Sequence, residues 1–229
     1  RAMNETAAEE GILLAEEQKS AVLAAVTDGC IVITGGPGTG KTTTINTIIK
    51  LMKKLKLKVA LAAPTGRAAK RLSEVSGIEA KTIHRLLGVV RNDGESAVVF
   101  SKNEENTLSA DVIIIDEMSM LDVNLMSSLL KAVKPGAKLI MVGDYDQLPS
   151  VGPGNVLRDI INSGVIPVIR LDHIFRQAQE SMIVVNAHRI NKGEMPILKN
   201  DSSNFFFMNR DTPVSISSTI TDLYANRLP

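Results

Sequence analysis

Residues 35–42 read GGPGTGKT, so that Gly35, Gly40, Lys41 and Thr42 meet the spacing G-x-x-x-x-G-K-[ST]. These residue types at this spacing suit one chemistry, the holding of a nucleoside triphosphate. Glycines let the backbone take tight, partly left-handed turns, so consecutive N–H groups can point into one concavity and donate to phosphate oxygens. Lys41 adds a point charge for the β- and γ-phosphates, and the Thr42 hydroxyl is a ligand for Mg²⁺. Gly36, Pro37, Gly38, Thr39, Gly40 and Thr43 complete the expected binding loop.

A short pattern can arise by chance, so its surroundings decide. Ile31, Val32 and Ile33 form a β-branched run before the loop, and residues 42–55 keep a helical pattern after it. Strand, loop and helix in that order aim a helix N-terminus at the anion. The competing reading, a glycine-rich turn with a stray lysine, does not account for that context.

Two further polar clusters end apolar runs. Val112-Ile113-Ile114-Ile115 is followed by Asp116 and Glu117. Four consecutive apolar residues predict a strand buried on both faces, as in a parallel sheet covered by helices, and such sheets bind ligands at their carboxyl ends. Asp116 suits the Mg²⁺ shell, and Glu117 suits a water attacking the γ-phosphate. Residues 139–142 form the other run and lead into Gly143-Asp144-Tyr145-Asp146-Gln147, where the Gln147 amide can touch the γ-phosphate or its water. Residues 59–63 end in Pro64-Thr65-Gly66 and a basic helical segment with Arg67, Lys70 and Arg71. A second anion site beside the first suggests a polyanion. Thr82-Ile83-His84-Arg85 opens a helix with Thr82 as its cap; His84 on its own reads as a structural histidine.

The elements that must position these groups follow from periodicity. A helix is predicted over 6–27, with Gln18 near the phosphate loop, where its amide could meet an adenine edge or simply face water. The lysines at 50, 53, 54, 56 and 58 read as a solvated helix end that offsets the dipole. Val89, Val90 and Val98 to Phe100 flank Asn92-Asp93-Gly94, a hairpin signal within a small insertion at about 89–102. Helices are expected at 119–133 and at 156–162, the second capped by Asn155. Ser163-Gly164 reads as a boundary. A fresh strand over 165–171, helices at 181–191 and 214–226, and a strand at Phe205-Phe206-Phe207-Met208 would begin a second α/β domain. The expectation is a first domain over 1–164 and an incomplete second one over 165–229.

With 229 residues and one cysteine, Cys30, the chain can bury about 70% of its unfolded surface and forms no internal disulfide. A reducing, cytoplasmic setting fits, without signal peptide or membrane span. A net charge of +1 and the absence of Trp leave any nucleic-acid contact to locally placed Lys and Arg acting on the backbone.

Taken together, GGPGTGKTTT, LAAPTGRAAKRL, TIHRLL, VIIIDEMSML, MVGDYDQLPSVGPGNVL, IFRQ and NAHRINKGEMP resemble the superfamily 1 DNA helicases of the RecD type, from about residue 13 to the end. This group contains the alpha subunit of exodeoxyribonuclease V and stand-alone bacterial relatives. The resemblance implies a RecA-like P-loop NTPase fold, with a mostly parallel sheet, helices on both faces, a small hairpin insertion and the start of a second motor domain. It implies ATP and Mg²⁺ as cofactors, 5′ to 3′ movement along single-stranded DNA or from duplex ends, and other subunits of a helicase–nuclease complex as partners. Gln18 would read adenine, Lys41 and Thr42 would hold phosphates and Mg²⁺, and Asp116 the metal. Glu117 would act on the attacking water, Gln147 would couple the γ-phosphate to DNA, and Arg176 would reach the γ-phosphate. Pro64, Thr65, Gly66, Arg67, Thr82 and His84 would lie along single-stranded DNA. The later motifs of the second motor domain are not found, so the chain reads as a fragment. A conjugative relaxase module and a small-molecule phosphotransferase are the alternatives.

Overall fold

Alternation of side chains along the apolar runs decides what covers the sheet they form. The computed structural model describes residues 13–90, 99–175, 180–199 and 204–227, and the chain divides into the units Arg1–Ala178 and Gln179–Pro229. In chain order the first unit contains helix α1 (Glu16–Thr27), β1 (Cys30–Thr34), α2 (Lys41–Lys54), β2 (Val59–Ala63), α3 (Gly66–Ser76), β3 (Ala80–Thr82) and α4 (Ile83–Leu87). It continues with the short strands β4 (Val89–Val90) and β5 (Val99–Phe100), then β6 (Val112–Ile115), a 3-10 turn at Met118–Met120, α5 (Val123–Ala132), β7 (Lys138–Gly143), α6 (Val156–Ser163) and β8 (Val168–Arg170).

Six strands form one sheet in the order β3-β2-β6-β7-β1-β8, with every neighbouring pair parallel. Parallel strands need crossover connections, and these put helices on both faces. Ile31, Ile33, Ile114 and Ile140 pack with α1, α2 and α3 on one face. Val32, Ile113, Ile115 and Met141 pack with α4, α5 and α6 on the other. Each fully buried isoleucine contributes about 1.5–3 kcal/mol relative to exposure. Because all six strands run the same way, their carboxyl ends share one rim. The order also inserts β7 between β1 and β6, so the strands carrying the phosphate loop and the acidic pair lie two spacings, roughly 10 Å, apart.

The insertion pairs as expected, Val89 with Phe100 and Val90 with Val99 in antiparallel register; its turn falls outside the described residues. Other expectations need correction. Of the helix expected over 6–27, residues 6–12 lie outside the described residues; within these, α1 begins at Glu16, because Ala15 is extended and its N–H is taken by Gln18 Oε1 at 3.0 Å. The helix expected from 119 starts at Val123, where the Asp122 carboxylate accepts the Leu125 N–H at 2.8 Å.

The strand expected to open a second domain instead completes the first sheet. Val168–Arg170 pairs with Val32–Thr34, covering the edge of β1, whose N–H and C=O groups would otherwise lack ladder partners. The division expected after residue 164 therefore lies after Ala178. The second unit contains α7 (Met182–Asn191) and α8 (Pro213–Asn226). Buried Asn186 pins the chain after α7, donating to Ile197 O at 3.0 Å and accepting from Ile197 N at 2.7 Å. Phe205-Phe206-Phe207-Met208 is not a strand, and no strand occurs among the described residues of this unit. A lone extended segment has no ladder to join.

Candidate functional site

A cleft of about 820 Å³ opens where the carboxyl ends of β1, β6 and β7 meet the N-terminus of α2. Its lining brings together Gln18, the loop residues Gly36 to Thr43, Asp116, Glu117 and Gln147. Positive φ at Gly38 (78°) and Gly40 (81°) lets the loop wrap around its own concavity. Thr39 is buried, and its hydroxyl closes the turn by donating to Gly36 O at 2.9 Å. Lys41 leans back across the loop, its Nζ donating to Gly35 O at 2.5 Å and Gly36 O at 2.9 Å.

The acidic side of the cleft is held by backbone geometry. Asp116 N–H continues the ladder to Ala62 O at 2.9 Å, and Asp116 Oδ1 accepts the Glu117 N–H at 2.9 Å. Glu117 has φ 57° and ψ 41°, a left-handed conformation unusual for a side chain with a Cβ. Such a residue costs on the order of 1 kcal/mol or more and is commonly held at a functional turn. After β7, buried Asp144 organises the next loop by accepting from Asp146 N at 3.0 Å and Gln147 Nε2 at 3.4 Å. Tyr145 N–H donates to Thr34 Oγ1 at 3.1 Å, fastening that loop to the end of β1.

Burial pushes Lys41 below its ordinary range, against the pull of Asp144, Glu117 and Asp116. Burial raises Asp116, opposed by the Glu117 N–H and then by Lys41 and Arg71. Burial and then Asp116 raise Glu117, against Lys41 and Arg71. Two carboxylates, Asp116 and Glu117, thus share the cleft with Lys41, and their hard oxygens are a donor set that fits Mg²⁺. Among the described residues no three His, Cys, Asp or Glu form a metal cage. Mg²⁺ does not need one, since it commonly binds through one or two protein oxygens together with substrate phosphates.

Gln18 is buried, and the solvated alternative for it is set aside: Nε2 donates to Gly40 O at 3.2 Å while Oε1 caps α1. Pro64, Thr65, Gly66 and Arg67 follow β2 and open α3 on the same rim of the sheet. Thr65 and Thr82 both accept a capping N–H at 3.2 Å, from Ala68 and Arg85 respectively. A smaller notch of about 310 Å³ lies there, lined by Gly66, Lys70, Lys81, Thr82 and Arg85 among others. His84 is exposed and sits with its ring 5.9 Å from that of Phe100 on β5. Arg176 lies outside the described residues.

Three contributors to the cleft escaped the sequence reading. Asp144 belonged to a recognised cluster, but only the fold reveals its burial. Phe175 lines the cleft and its N–H donates to Gly38 O at 3.3 Å, a position that depends on β8 joining the sheet. Arg71 reaches the cleft from α3, whereas the sequence offered it only as one member of a basic segment.

The AAA domain family matches residues 18–153 of the chain. The chain is similar to the ATP-dependent RecD2 DNA helicase of Deinococcus radiodurans, 44% identical over 183 residues, which cover 80% of this chain and 24% of that protein. It is also similar to the RecBCD enzyme subunit RecD of Mycolicibacterium smegmatis, 43% identical over 169 residues, covering 64% of this chain and 30% of that one. The chain thus spans about a quarter to a third of the length of these relatives. Among solved structures, a Pif1 helicase from Candida albicans superposes with a TM-score of 0.61 at 23% identity, over 94% of this chain and 55% of that chain. That likeness bears on the fold, and it agrees with the RecA-like expectation. Among the described residues no helix is long and apolar enough to cross a membrane.

Proposed function

The chain belongs to the AAA domain family, and from that premise we propose that it is the ATP-binding motor part of an ATP-dependent DNA helicase of the RecD type. The parent protein would move 5′ to 3′ on single-stranded DNA in recombination or repair, in the cytoplasm. It would act at duplex ends, alone or beside other subunits of a helicase–nuclease complex. Residues beyond the first unit would begin its second motor domain. One observation carries the reading: Lys41, Asp116, Glu117 and Gln147 line a single cleft at the carboxyl rim of the sheet.

In this reading the amides from Gly36 to Thr43 cradle the phosphates, and Lys41 exchanges its loop carbonyls for phosphate oxygens. Thr42 and Asp116 would hold Mg²⁺, which would supply positive charge against the triphosphate. Glu117 accepts hydrogen bonds from the attacking water and takes up its proton. Gln147, held between Ser119 and Asp144, reaches the terminal phosphate. The Gln18 amide keeps spare donor and acceptor capacity for an adenine edge, and the flat face of Phe175 offers the base an apolar wall. Arg176, just beyond it in sequence, is assigned to the γ-phosphate. The caps at Thr65 and Thr82 use a lone pair and leave each O–H free to donate to a DNA phosphate. Pro64, Gly66, Arg67 and His84 flank them along the strand.

ATP turnover by the full-length protein, with and without single-stranded DNA, tests this. DNA-stimulated hydrolysis that disappears in Lys41→Ala is expected. Turnover indifferent to both DNA and Lys41 would overturn it.

A further inference from the structure

We propose that Arg71 is a phosphate-contacting arginine, its guanidinium reaching the terminal phosphate of the bound triphosphate from within the first unit. The inference rests on the nucleotide reading above and adds a residue to it.

Position is the first argument. Arg71 lines the same cleft as Lys41, Asp116, Glu117 and Gln147. The helix that carries it is fixed: Thr65 caps its start, Gly77 closes its end in the left-handed conformation, and Ala69 and Leu72 bury its inner face. The root of the arginine is therefore held, while the side chain remains exposed.

Partnership is the second. Among the described residues Arg71 forms no ion pair and no hydrogen bond, although its neighbour Lys70 pairs with Glu74 at 4.0 Å. Two carboxylates share the cleft with Arg71, and neither closes on it. The helix of Arg71 follows β2, which pairs with β6, so Arg71 lines the cleft on the side where Asp116 and Glu117 leave the sheet. A cation that lines the cleft with these groups without touching them leaves space between, and phosphate oxygens would fill that space. That side of the cleft is where Mg²⁺ and the attacked phosphate belong, which selects the terminal phosphate over the α-phosphate.

Chemistry is the third. A planar guanidinium can donate two parallel hydrogen bonds to one phosphate group, which an ammonium cannot do. Among the described residues, Lys41 and Arg71 are the two cations that line the cleft. Arg67, four residues earlier on the same helix face, is assigned to the DNA side. One rigid helix would then carry a DNA contact at its start and a nucleotide contact one turn later.

The test is equilibrium binding by the full-length protein of Mg²⁺-bound ADP and of an ATP analogue with a β,γ-imido bridge. Wild type, Arg71→Ala and Arg71→Lys are compared, with circular dichroism confirming the fold of each. Arg71→Ala is expected to weaken the analogue roughly 10-fold or more while ADP changes less than about 2-fold, a loss typical of hydrogen bonds to charged groups. Arg71→Lys should restore part of the difference. Equal weakening of both nucleotides, or no change in either, overturns the proposal while leaving the site reading intact. Failure of the wild type to bind either nucleotide overturns both. If Arg71→Ala unfolds, the contrast between the two nucleotides in Arg71→Lys decides.

Discussion

Ser119 and Gln147, 28 positions apart in sequence, are joined by a 3.4 Å hydrogen bond in which the Ser119 hydroxyl donates to Gln147 Oε1. Ser119 lies in the turn that follows Glu117, and Gln147 ends the loop that follows β7. The bond ties the acidic turn to the amide proposed to reach the terminal phosphate. Ser119→Ala leaves both elements in place but removes one of the two bonds, to Ser119 and Asp144, that orient the amide. A neutral hydrogen bond of about 1 kcal/mol corresponds to roughly 5-fold, so kcat should fall several-fold with the KM for ATP nearly unchanged. Steady-state kinetics on the full-length protein check this, and an unchanged kcat would remove Ser119 from the positioning of Gln147.

Glu117 and Lys41 are assigned to different steps and should separate. For Glu117→Gln, turnover is expected to fall roughly 100-fold or more with nucleotide affinity retained, as when a positioned proton acceptor is lost. Lys41→Ala should lose affinity itself. Pairing turnover with equilibrium binding for both variants distinguishes the roles, and parallel loss of binding in both would refute the assignment of Glu117.

Gly40 tolerates no side chain. Its φ is 81°, and an added Cβ would run into Gln18 Nε2 and stand 2.8 Å from Phe175 Cε2. Gly40→Ala should therefore reshape the loop, weakening nucleotide binding by about 10-fold or more, since a strained left-handed residue alone costs on the order of 1–2 kcal/mol. Titration with ADP measures it. Wild-type affinity would show that the loop relaxes freely.

Asp111 provides a pH-dependent prediction far from the cleft. Its carboxylate accepts from Lys134 Nζ at 2.7 Å and from Lys58 N at 2.8 Å, joining the amino ends of β2 and β6 to the chain after α5. The Lys134 bond, and after it the Lys58 N–H, hold the carboxyl below its ordinary value. Between the folded and unfolded values the unfolded chain binds more protons, so stability rises with pH through that window. The contribution is complete above about pH 4, the ordinary carboxylate value, and is lost as the pH falls through the folded value. Asp111→Asn should lower the Tm at pH 7 and match wild type in strong acid. Thermal unfolding across pH 2–7 checks it, and a difference independent of pH would assign the effect to packing.

The core elements were legible because their signals are local. The loop from Gly35 to Thr42 reads from glycines, a lysine and a hydroxyl at fixed spacing. Asp116 and Glu117 read from four apolar residues that demand a strand buried on both faces. Further apolar runs, helical periodicity and caps such as Thr82 place most of the remaining elements. The misplacement of residues 165–171 and 205–208 has the opposite cause: a strand exists only where another strand offers an edge, and β1 offered one while the described residues of the second unit contain none.

By itself, then, the sequence determined which backbone segments could turn around a phosphate and which side chains stood at strand ends. Those properties depend on a few consecutive residues. Tertiary structure alone decided that β7 separates β1 from β6, that Gln18 is buried against Gly40, and that Phe175 and Arg71 turn into the cleft. Each of these requires distant segments to pack, and the free energy that selects among packings belongs to the assembled sheet and its helices rather than to any one stretch of chain.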